Sequence, residues 1–219
     1  MQLTHLGHSC VLVEVADQRI LIDPGTLAAF DDVRDLTAVL VTHQHPDHVD
    51  PARLAGLLDA NPRARAWMEP QAADAVTEAA AGHDLGRMTS GRALELGPVT
   101  VTPVGQRHAV ITDYVPRIDN LGYVVRAEGE PTLFHPGDAL DADPGEVDVL
   151  CVPVNAPWAK VAETVEFVRR IAPGRAVPVH DGLLNDTGRE LYVGHVSRFG
   201  ADGGLEVLDL RGRGATPLS

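Results

Sequence analysis

The sequence predicts an α/β protein in which helices cover sheets that contain parallel strands. In the first half, a strand-like apolar run at residues 38–41 is followed by a helix, a second strand and a second helix. This order is typical of parallel strands with helices on the outer face of the sheet. The second half repeats the order coarsely, which indicates two similar halves packed face to face. A length of 219 residues favours one domain, residues 1–219, over two.

The first half starts with three short strands, predicted at residues 2–6, 10–16 and 19–23. In the second of them, valines occupy every other position, which indicates that one face is more buried than the other. The first helix is expected to begin at Asp50 and Pro51, because aspartate is a favourable N-cap and proline is tolerated in the first turn.

Leucines three and four residues apart give this helix an apolar stripe. A short strand at residues 64–68 and a helix at residues 71–81 complete the first half. The second half contains a long irregular loop, residues 105–120, whose length favours a functional role. Its other predicted elements are strands at residues 92–104, 121–127, 131–135, 147–154, 176–179 and 205–210 and helices at residues 159–171 and 187–198.

The composition limits the classes of partner. The formal net charge of −13 argues against nucleic acid and anionic membranes, because both require a basic surface that displaces counterions. No apolar run approaches the length of a membrane span, and the N-terminal residues lack a secretory signal. Cys10 and Cys151 lie in apolar runs and are expected to be buried, reduced thiols. We therefore expect a cytoplasmic protein that acts on a small molecule, with an oligomeric state that the sequence leaves open.

A dense group of ionisable side chains follows the strand predicted at residues 38–41. His43, His45, Asp47 and His48 fall within six residues. Neutral imidazoles and ionised carboxylates are the usual ligands of zinc and related metals. Because the chain curls at the end of a strand, ligands two and four residues apart can converge on one point. A solvated, histidine-rich loop is the alternative interpretation.

Three further candidate ligands each follow a predicted strand: His108, Asp138 and His180. Strand ends are where loops from different strands converge and where sites gather in layered α/β folds. Five histidines and two aspartates are too many ligands for one tetrahedral ion and suit two. Asp138 has two carboxylate oxygens and is the natural bridge between them.

These motifs resemble the metallo-β-lactamase superfamily of binuclear metallohydrolases. The segment Leu-Gly-His-Ser-Cys at residues 6–10 and the compact length are similar to the branch that includes ascorbate-6-phosphate lactonase. The resemblance implies a four-layer αβ/βα sandwich of two mixed β-sheets flanked by helices, with the site at one rim. It also implies that Asp23 orients a ligand imidazole. The ligand sets that it implies are His43, His45 and His108 for the first metal, Asp47, His48 and His180 for the second, and Asp138 as the bridge.

The expected activity is that of a binuclear metal-dependent hydrolase. Two divalent ions, zinc with manganese or iron as alternatives, would supply a bridging hydroxide, and Asp47 would act as the catalytic group that handles the proton. A net positive site favours a small anionic ester, lactone or phosphodiester. Two other readings stay open: a non-catalytic metal-binding sensor or scaffold of the same fold, and an RNA-processing nuclease, which the acidic charge disfavours.

Three residues are candidates for the substrate pocket. His8 lies in a glycine-containing corner that would deliver it into a cleft. Trp158 and Lys160 follow a predicted buried strand and would contact an apolar part and an anionic part of the substrate. The alternatives are a structural histidine and a helix start whose tryptophan packs on the core.

Overall fold

The computed structural model describes residues 1–218, which form fourteen strands and four helices. The helices are α1 (Pro51–Ala60), α2 (Pro70–Val76), α3 (Val161–Ile171) and α4 (Asp186–Phe199). The strands are β1 (Gln2–Gly7), β2 (Cys10–Val15), β3 (Gln18–Ile22), β4 (Ala38–Val41), β5 (Arg65–Met68), β6 (Leu85–Arg87), β7 (Leu94–Leu96), β8 (Val99–Val104), β9 (Gly122–Ala127), β10 (Leu133–His135), β11 (Val149–Pro153), β12 (Arg175–Val179), β13 (Glu206–Val207) and β14 (Thr216–Pro217).

The strands form two mixed sheets of seven strands each. The first sheet has the order β14-β1-β2-β3-β4-β5-β6 and the second the order β13-β12-β11-β10-β9-β8-β7. In the first sheet β3 to β6 run parallel, and in the second β10 to β13 do so, while the remaining neighbours are antiparallel. The two halves of the chain therefore build similar sheets.

Three apolar layers separate four layers of secondary structure. The central layer joins the inner faces of the two sheets, and valines 11, 13 and 15 of β2 point into it. The neighbouring residues Cys10 and Leu12 point the other way, into the layer beneath α1 and α2. A third layer lies between the second sheet and helices α3 and α4. The predicted αβ/βα sandwich is confirmed.

The first helix has the N-cap, the proline in its first turn and the buried leucine stripe that its sequence predicts. The Asp50 side chain accepts a hydrogen bond from the backbone N–H of Ala52, and Pro51 occupies the first turn. Its three leucines are buried against the first sheet. The second helix ends at Val76, five residues earlier than predicted; the Thr77 hydroxyl donates to the Ala73 carbonyl at 2.6 Å.

Two short strands were not predicted. In β6, Gly86 lies against the ring of Trp67, where a Cβ atom would come within 2.1 Å of the indole, so the position admits no side chain. Strand β14 is two residues long and contains a proline at the edge of the sheet. The strand predicted at residues 205–210 pairs over Glu206–Val207 alone.

The carboxyl ends of the parallel strands lie along one rim. There the Tyr123 hydroxyl of the second sheet donates to the Val41 carbonyl of the first at 2.6 Å. This contact joins the two sheets beside the residues that follow β4. Among residues 1–218, no helix has the combination of length and apolar character that crossing a membrane requires.

Candidate metal centre

The rim brings together all seven side chains that the sequence singles out as ligands. Together with His8, these seven side chains form two groups of four, within each of which the ligand atoms lie no more than 4.8 Å apart. The first group contains His43, His45, His108 and Asp138, and the second contains His8, Asp47, His48 and His180. Both sheets contribute to both groups.

A tight turn after β4 shapes the histidine-rich segment. The backbone N–H groups of His48 and Val49 both donate to the His45 carbonyl, at 2.9 and 3.0 Å. The preceding loop lies directly against this turn, because a Cβ atom on Gly25 would come within 1.8 Å of the Asp47 carbonyl oxygen. Glycine at position 25 therefore allows the two segments to approach.

Hydrogen bonds at Nδ1 define the tautomers of three imidazoles. His108 Nδ1 lies 2.6 Å from the Ala109 carbonyl, and His180 Nδ1 lies 2.5 Å from the Asn155 carbonyl. Since a carbonyl oxygen can only accept, each Nδ1 carries the proton. His48 Nδ1 donates in the same way to Asp23, at 2.7 Å. All three histidines thus present the lone pair of Nε2 to the centre.

Asp23 organises the start of the segment. Its carboxylate accepts from the backbone N–H and the hydroxyl of Thr42, both at 2.8 Å, and from His48. Because the Thr42 hydroxyl donates to Asp23, it accepts from Nδ1 of His43 at 3.0 Å. His43 therefore also presents Nε2, and this atom lies 3.1 Å from Nδ1 of His45.

Four atoms of the centre are buried and have no hydrogen-bond partner among residues 1–218. They are Nε2 of His48, His108 and His180 and Oδ1 of Asp138. A buried polar atom without a partner costs about 1–3 kcal/mol. Four acceptors that share one space are therefore poorly accommodated by the protein alone and fit a bound cation.

Asp138 lies between the two groups. Its Oδ1 is 3.1 Å from His48 Nε2, while its Oδ2 is 3.4 Å from His108 Nε2 and 3.2 Å from His180 Nε2. The indole N–H of Trp158 donates to Oδ2 at 2.9 Å. The carboxylate faces ligands of both groups, as a bridging residue must.

His8 has a different role from the other histidines. Its Nδ1 accepts the backbone N–H of Gly182 at 3.1 Å, so the proton of the neutral ring lies on Nε2 and is donated to Asp47 Oδ2 at 3.1 Å. Although His8 is close enough to be a ligand, both of its nitrogens have partners. It is 1% exposed and orients Asp47.

The electrostatics of the metal-free cluster favour a positive charge at its centre. Burial opposes the charged form of His48, but the carboxylates of Asp138 and Asp23 outweigh it and raise the pKa of His48 well above its ordinary value. Burial also opposes the ionisation of Asp138, yet His48 and His180 hold the pKa of that carboxyl well below its usual range. Positive charge is thus stabilised at the position where a metal cation would lie.

Trp158 and Lys160 border a groove of about 790 Å³ beside the centre. Trp158 is 8% exposed and contacts Asp138 directly, so it belongs to both the groove and the centre. The Lys160 side chain is 81% exposed and lies 3.7 Å from a carboxylate oxygen of Glu163.

Sequence reasoning predicted the contact of Asp23 with a ligand imidazole but missed the contacts of Asn120 and Gly137 that position Asp138. The Asn120 side chain donates to the Pro136 carbonyl at 2.9 Å and accepts the Asp138 backbone N–H at 3.0 Å. Gly137 has φ +61°, and a Cβ atom there would lie 2.3 Å from the Asn120 side-chain oxygen. His135 uses both ring nitrogens in hydrogen bonds to the backbone of Ser9 and Gly137 and has a structural role. Only the Gly-Asp pair at residues 137–138 is visible as a local pattern.

Comparison with known families decides the identity of the fold. A family described as a beta-lactamase superfamily domain matches residues 2–180. The chain belongs to the metallo-β-lactamase superfamily.

Within the superfamily, the chain belongs to the UPF0173 family. It is 43% identical to protein Rv0786c of Mycobacterium tuberculosis, with 91% of this chain and 92% of the relative covered. It is 32% identical to a UPF0173 protein of Pyrococcus furiosus, with coverages of 88% and 89%. A UPF0173 metal-dependent hydrolase of Methylobacterium nodulans is 31% identical, with coverages of 83% and 85%.

Solved structures share the superfamily fold at low identity. Igni18, a metallo hydrolase from Ignicoccus hospitalis, aligns with a TM-score of 0.74 at 17% identity and covers 98% of this chain and 97% of its own. An isothiocyanate hydrolase from Delia radicum gut bacteria aligns with a TM-score of 0.72 at 14% identity, over 100% of both chains. At these identities the similarity extends to the fold alone.

Proposed function

We propose that this chain is a hydrolase that holds two divalent cations in one centre. The observation that carries the proposal is the convergence of the four buried acceptor atoms that have no hydrogen-bond partner among residues 1–218. Relatives named metal-dependent hydrolases support the reaction class. The imidazole and carboxylate donors suit zinc, with manganese and iron as alternatives. Because each half of residues 1–219 supplies ligands, we treat the whole chain as one hydrolase domain.

The two groups of side chains suggest how the cations are shared. His43, His45 and His108 would hold the first cation. His48, His180 and Asp47 would hold the second, and Asp138 would bridge the two. His8 stays outside both sets, because its Nε2 proton is directed at Asp47.

Bound cations would lower the pKa of a shared water from ~15.7 towards ~7 and so supply hydroxide at neutral pH. Asp47 is the residue that we propose to handle the proton. His8 restricts its carboxylate to one side of the centre, where Oδ2 lies 3.6 Å from His180 Nε2. The hydrogen bond from His8 and the nearby imidazoles lower the pKa of Asp47 although burial opposes this, so the group is ionised and able to accept a hydrogen bond.

The proposed substrate is a small anionic ester, lactone or phosphodiester. Two divalent cations and the two carboxylates that hold them would give the site a net charge of roughly +2 before hydroxide binds. The metals would be the main source of attraction, because basic side chains nearby are paired: Arg107 lies 2.8 Å from Asp119 and Lys160 lies 3.7 Å from Glu163. The free, buried thiols of Cys10 and Cys151 support a reducing, cytoplasmic location.

The test combines metal analysis with turnover. The purified protein is expected to bind two cations and to hydrolyse at least one member of a panel of lactones, aryl esters and phosphodiesters. Chelation and His45→Ala should each abolish turnover. His83→Ala is the matched control, because His83 pairs with Asp59 at 3.2 Å and lies in neither group. Binding of two cations without turnover of any substrate would favour the sensor reading, and full activity of His45→Ala would overturn the proposed centre.

A further inference from the structure

The groove beside the metal centre has a composition that the proposed reaction does not explain. It lies between the segments that follow β8 and β10 and helix α3 with the residues just before it, and its volume is about 790 Å³. Pockets that bind small organic molecules fall in the range of roughly 300–1,000 Å³. The groove is therefore large enough for much more than a scissile ester or phosphate group.

The inner wall of the groove is also the wall of the metal centre. Trp158 lines the groove and donates its indole N–H to Asp138. Ala109 lines it from the other side; its backbone N–H donates to the Asp138 carbonyl at 2.8 Å, and its carbonyl accepts from His108. A molecule whose reactive group lies at the two cations would extend directly into this space.

Part of the groove wall is apolar, beside the charged side chains that also line it. Val110, Ile111, Leu140 and Pro157 border it, and Phe167 from α3 also lines it. Val110 is 54% exposed although it is an aliphatic side chain. Exposed apolar surface beside a site gains free energy when a ligand covers it.

The charges of the groove do not suit an anion. Its lining contains two basic residues and three carboxylates. Lys160 pairs with Glu163, and the Arg170 guanidinium donates to the carbonyls of Leu140 and Ala142 at 2.6 and 3.0 Å. Asp141 lies 3.6 Å from the Arg117 guanidinium. Cations that are already paired offer little extra binding energy to a phosphate or carboxylate.

We propose that this groove binds the apolar acyl or alkyl part of the substrate, and that the substrate is an amphiphilic ester or lactone. The proposal rests on the proposed hydrolase function and narrows its substrate class: any negative charge of the substrate lies at the metal centre, and the part that lies in the groove is uncharged. The polar, reacting group is bound by the metal centre, and the hydrocarbon part lies along Val110, Ile111 and Trp158. Hydrolysis itself is unchanged: water adds to the carbonyl carbon, and the acyl–oxygen bond breaks to give an acid and an alcohol.

The first experiment measures kcat/KM for the metal-loaded protein with p-nitrophenyl esters of acetate, butyrate, hexanoate and octanoate. We expect kcat/KM to rise about two- to fourfold per methylene, since each buried methylene contributes a fixed transfer free energy. Ile111→Glu should remove this dependence on chain length. Leu191→Glu, which alters an exposed apolar residue of α4 outside the groove, is the matched control and should keep the dependence.

The second experiment measures binding without turnover. In a Trp67→Phe background, Trp158 is the remaining tryptophan, and its fluorescence reports on the groove. Octanamide, which is neutral and is not an ester, should perturb this emission at much lower concentration than butanamide, and Ile111→Glu should abolish the difference.

The outcomes separate this proposal from the hydrolase proposal. Hydrolysis of short esters with no dependence on chain length, together with equal binding of the two amides, would overturn the groove assignment and leave the hydrolase intact. Tighter binding of octanamide without turnover of any ester would support the groove and overturn the hydrolase. A preference for anionic chains that Lys160→Glu abolishes would also contradict the proposal.

Discussion

Oδ2 of Asp23 lies 2.7 Å from Nδ1 of His48, and the same oxygen accepts the hydroxyl of Thr42 at 2.8 Å. Through this one carboxylate, the end of β3 determines which nitrogen of His48 faces the metal centre. Asp23 itself has φ +54°, a conformation that aspartate adopts more readily than most residues. The backbone is thus held in an uncommon conformation at the point that orients a proposed ligand.

The first prediction concerns Asp23→Asn. Asp23 accepts the Thr42 backbone N–H at Oδ1 and both the Thr42 hydroxyl and His48 at Oδ2. An amide has only one terminal oxygen, so one of these sets of contacts is lost and the His48 ring is held less firmly. Loss of such an orienting partner typically lowers metal affinity about 10–100-fold. Competition with a chromophoric chelator would measure the loss, which should be larger for the cation held by His48. Asp32→Asn, at an exposed position, is the control; an equal loss in both variants would contradict the prediction.

The second prediction concerns Gly25→Ala. The new methyl group would overlap the Asp47 carbonyl, so the turn that carries Asp47 and His48 must move. Overpacking of this kind costs about 1–3 kcal/mol of unfolding free energy. Urea unfolding of the metal-free protein would measure it.

Gly56→Ala provides the matched control for that variant. Gly56 lies within α1, and nothing is within 4 Å of a Cβ atom built on it. Alanine is favoured over glycine in helices by about 0.5–1 kcal/mol, so this variant should be more stable than the wild type. If the two alanine variants were equally stable, the close approach at Gly25 would not be a constraint.

The third prediction separates the two contacts of Trp158. Trp158→Phe removes the N–H that Asp138 accepts but keeps an aromatic wall in the groove. Because Asp138 is the proposed bridge, kcat/KM should fall about tenfold for short and long esters alike. A loss confined to long esters would mean that the indole acts through the groove and that its hydrogen bond is unimportant.

The fourth prediction concerns acid sensitivity. The Arg189 guanidinium, which donates to both oxygens of Asp209 at 2.7 and 2.8 Å, holds the pKa of that carboxyl below its ordinary value. A group with a lowered folded-state pKa contributes stability above its unfolded pKa of about 3.9, and this contribution is lost as the pH falls towards the folded-state pKa. Because Asp209 is about half exposed, the contribution should stay below about 1 kcal/mol.

Asp209→Asn should therefore be less stable than the wild type at pH 7, and the difference should shrink as the pH falls below about 4. Urea unfolding in the presence of a chelator would measure this without interference from metal. Asp113→Asn, at an exposed position in the loop after β8, is the control. A difference between Asp209→Asn and the wild type that did not shrink as the pH fell below about 4 would show that the ion pair is not its source.

The sequence predicts the fold class well because the determining patterns are local. The apolar run before His43 predicts β4, and the leucine stripe after Pro51 predicts α1, both of which the structure contains. Local sequence patterns do not predict a strand that forms only because a neighbouring strand is available to pair with it. Leu85–Arg87 becomes a strand because β5 is available beside it, and Gly86 fits because Trp67 fills the space.

The candidate site also has a part that local sequence patterns predict and a part that they do not. The ligand types and their positions at strand ends can be predicted from spacing, and the structure brings these residues together. Of the groups that fix their geometry, Asp23 is implied by the family resemblance, but the others cannot be predicted, because they are distant in sequence. Asn120 contacts the Asp138 backbone across 18 residues, and His8 reaches Gly182 across 174. Such contacts depend on how the two sheets are packed, which no local pattern encodes.

The division of ligands between the two sheets has a mechanical consequence. Neither half of the chain has a complete ligand set for one cation, so each cation would fasten the first sheet to the second. Ligand binding stabilises the folded state by about 4 kcal/mol at a free concentration 1,000 times Kd. That stabilisation would act across the interface between the two sheets, beside the hydrogen bond from Tyr123 to Val41. The ions that take part in the reaction would then also stabilise the packing of the two sheets against each other.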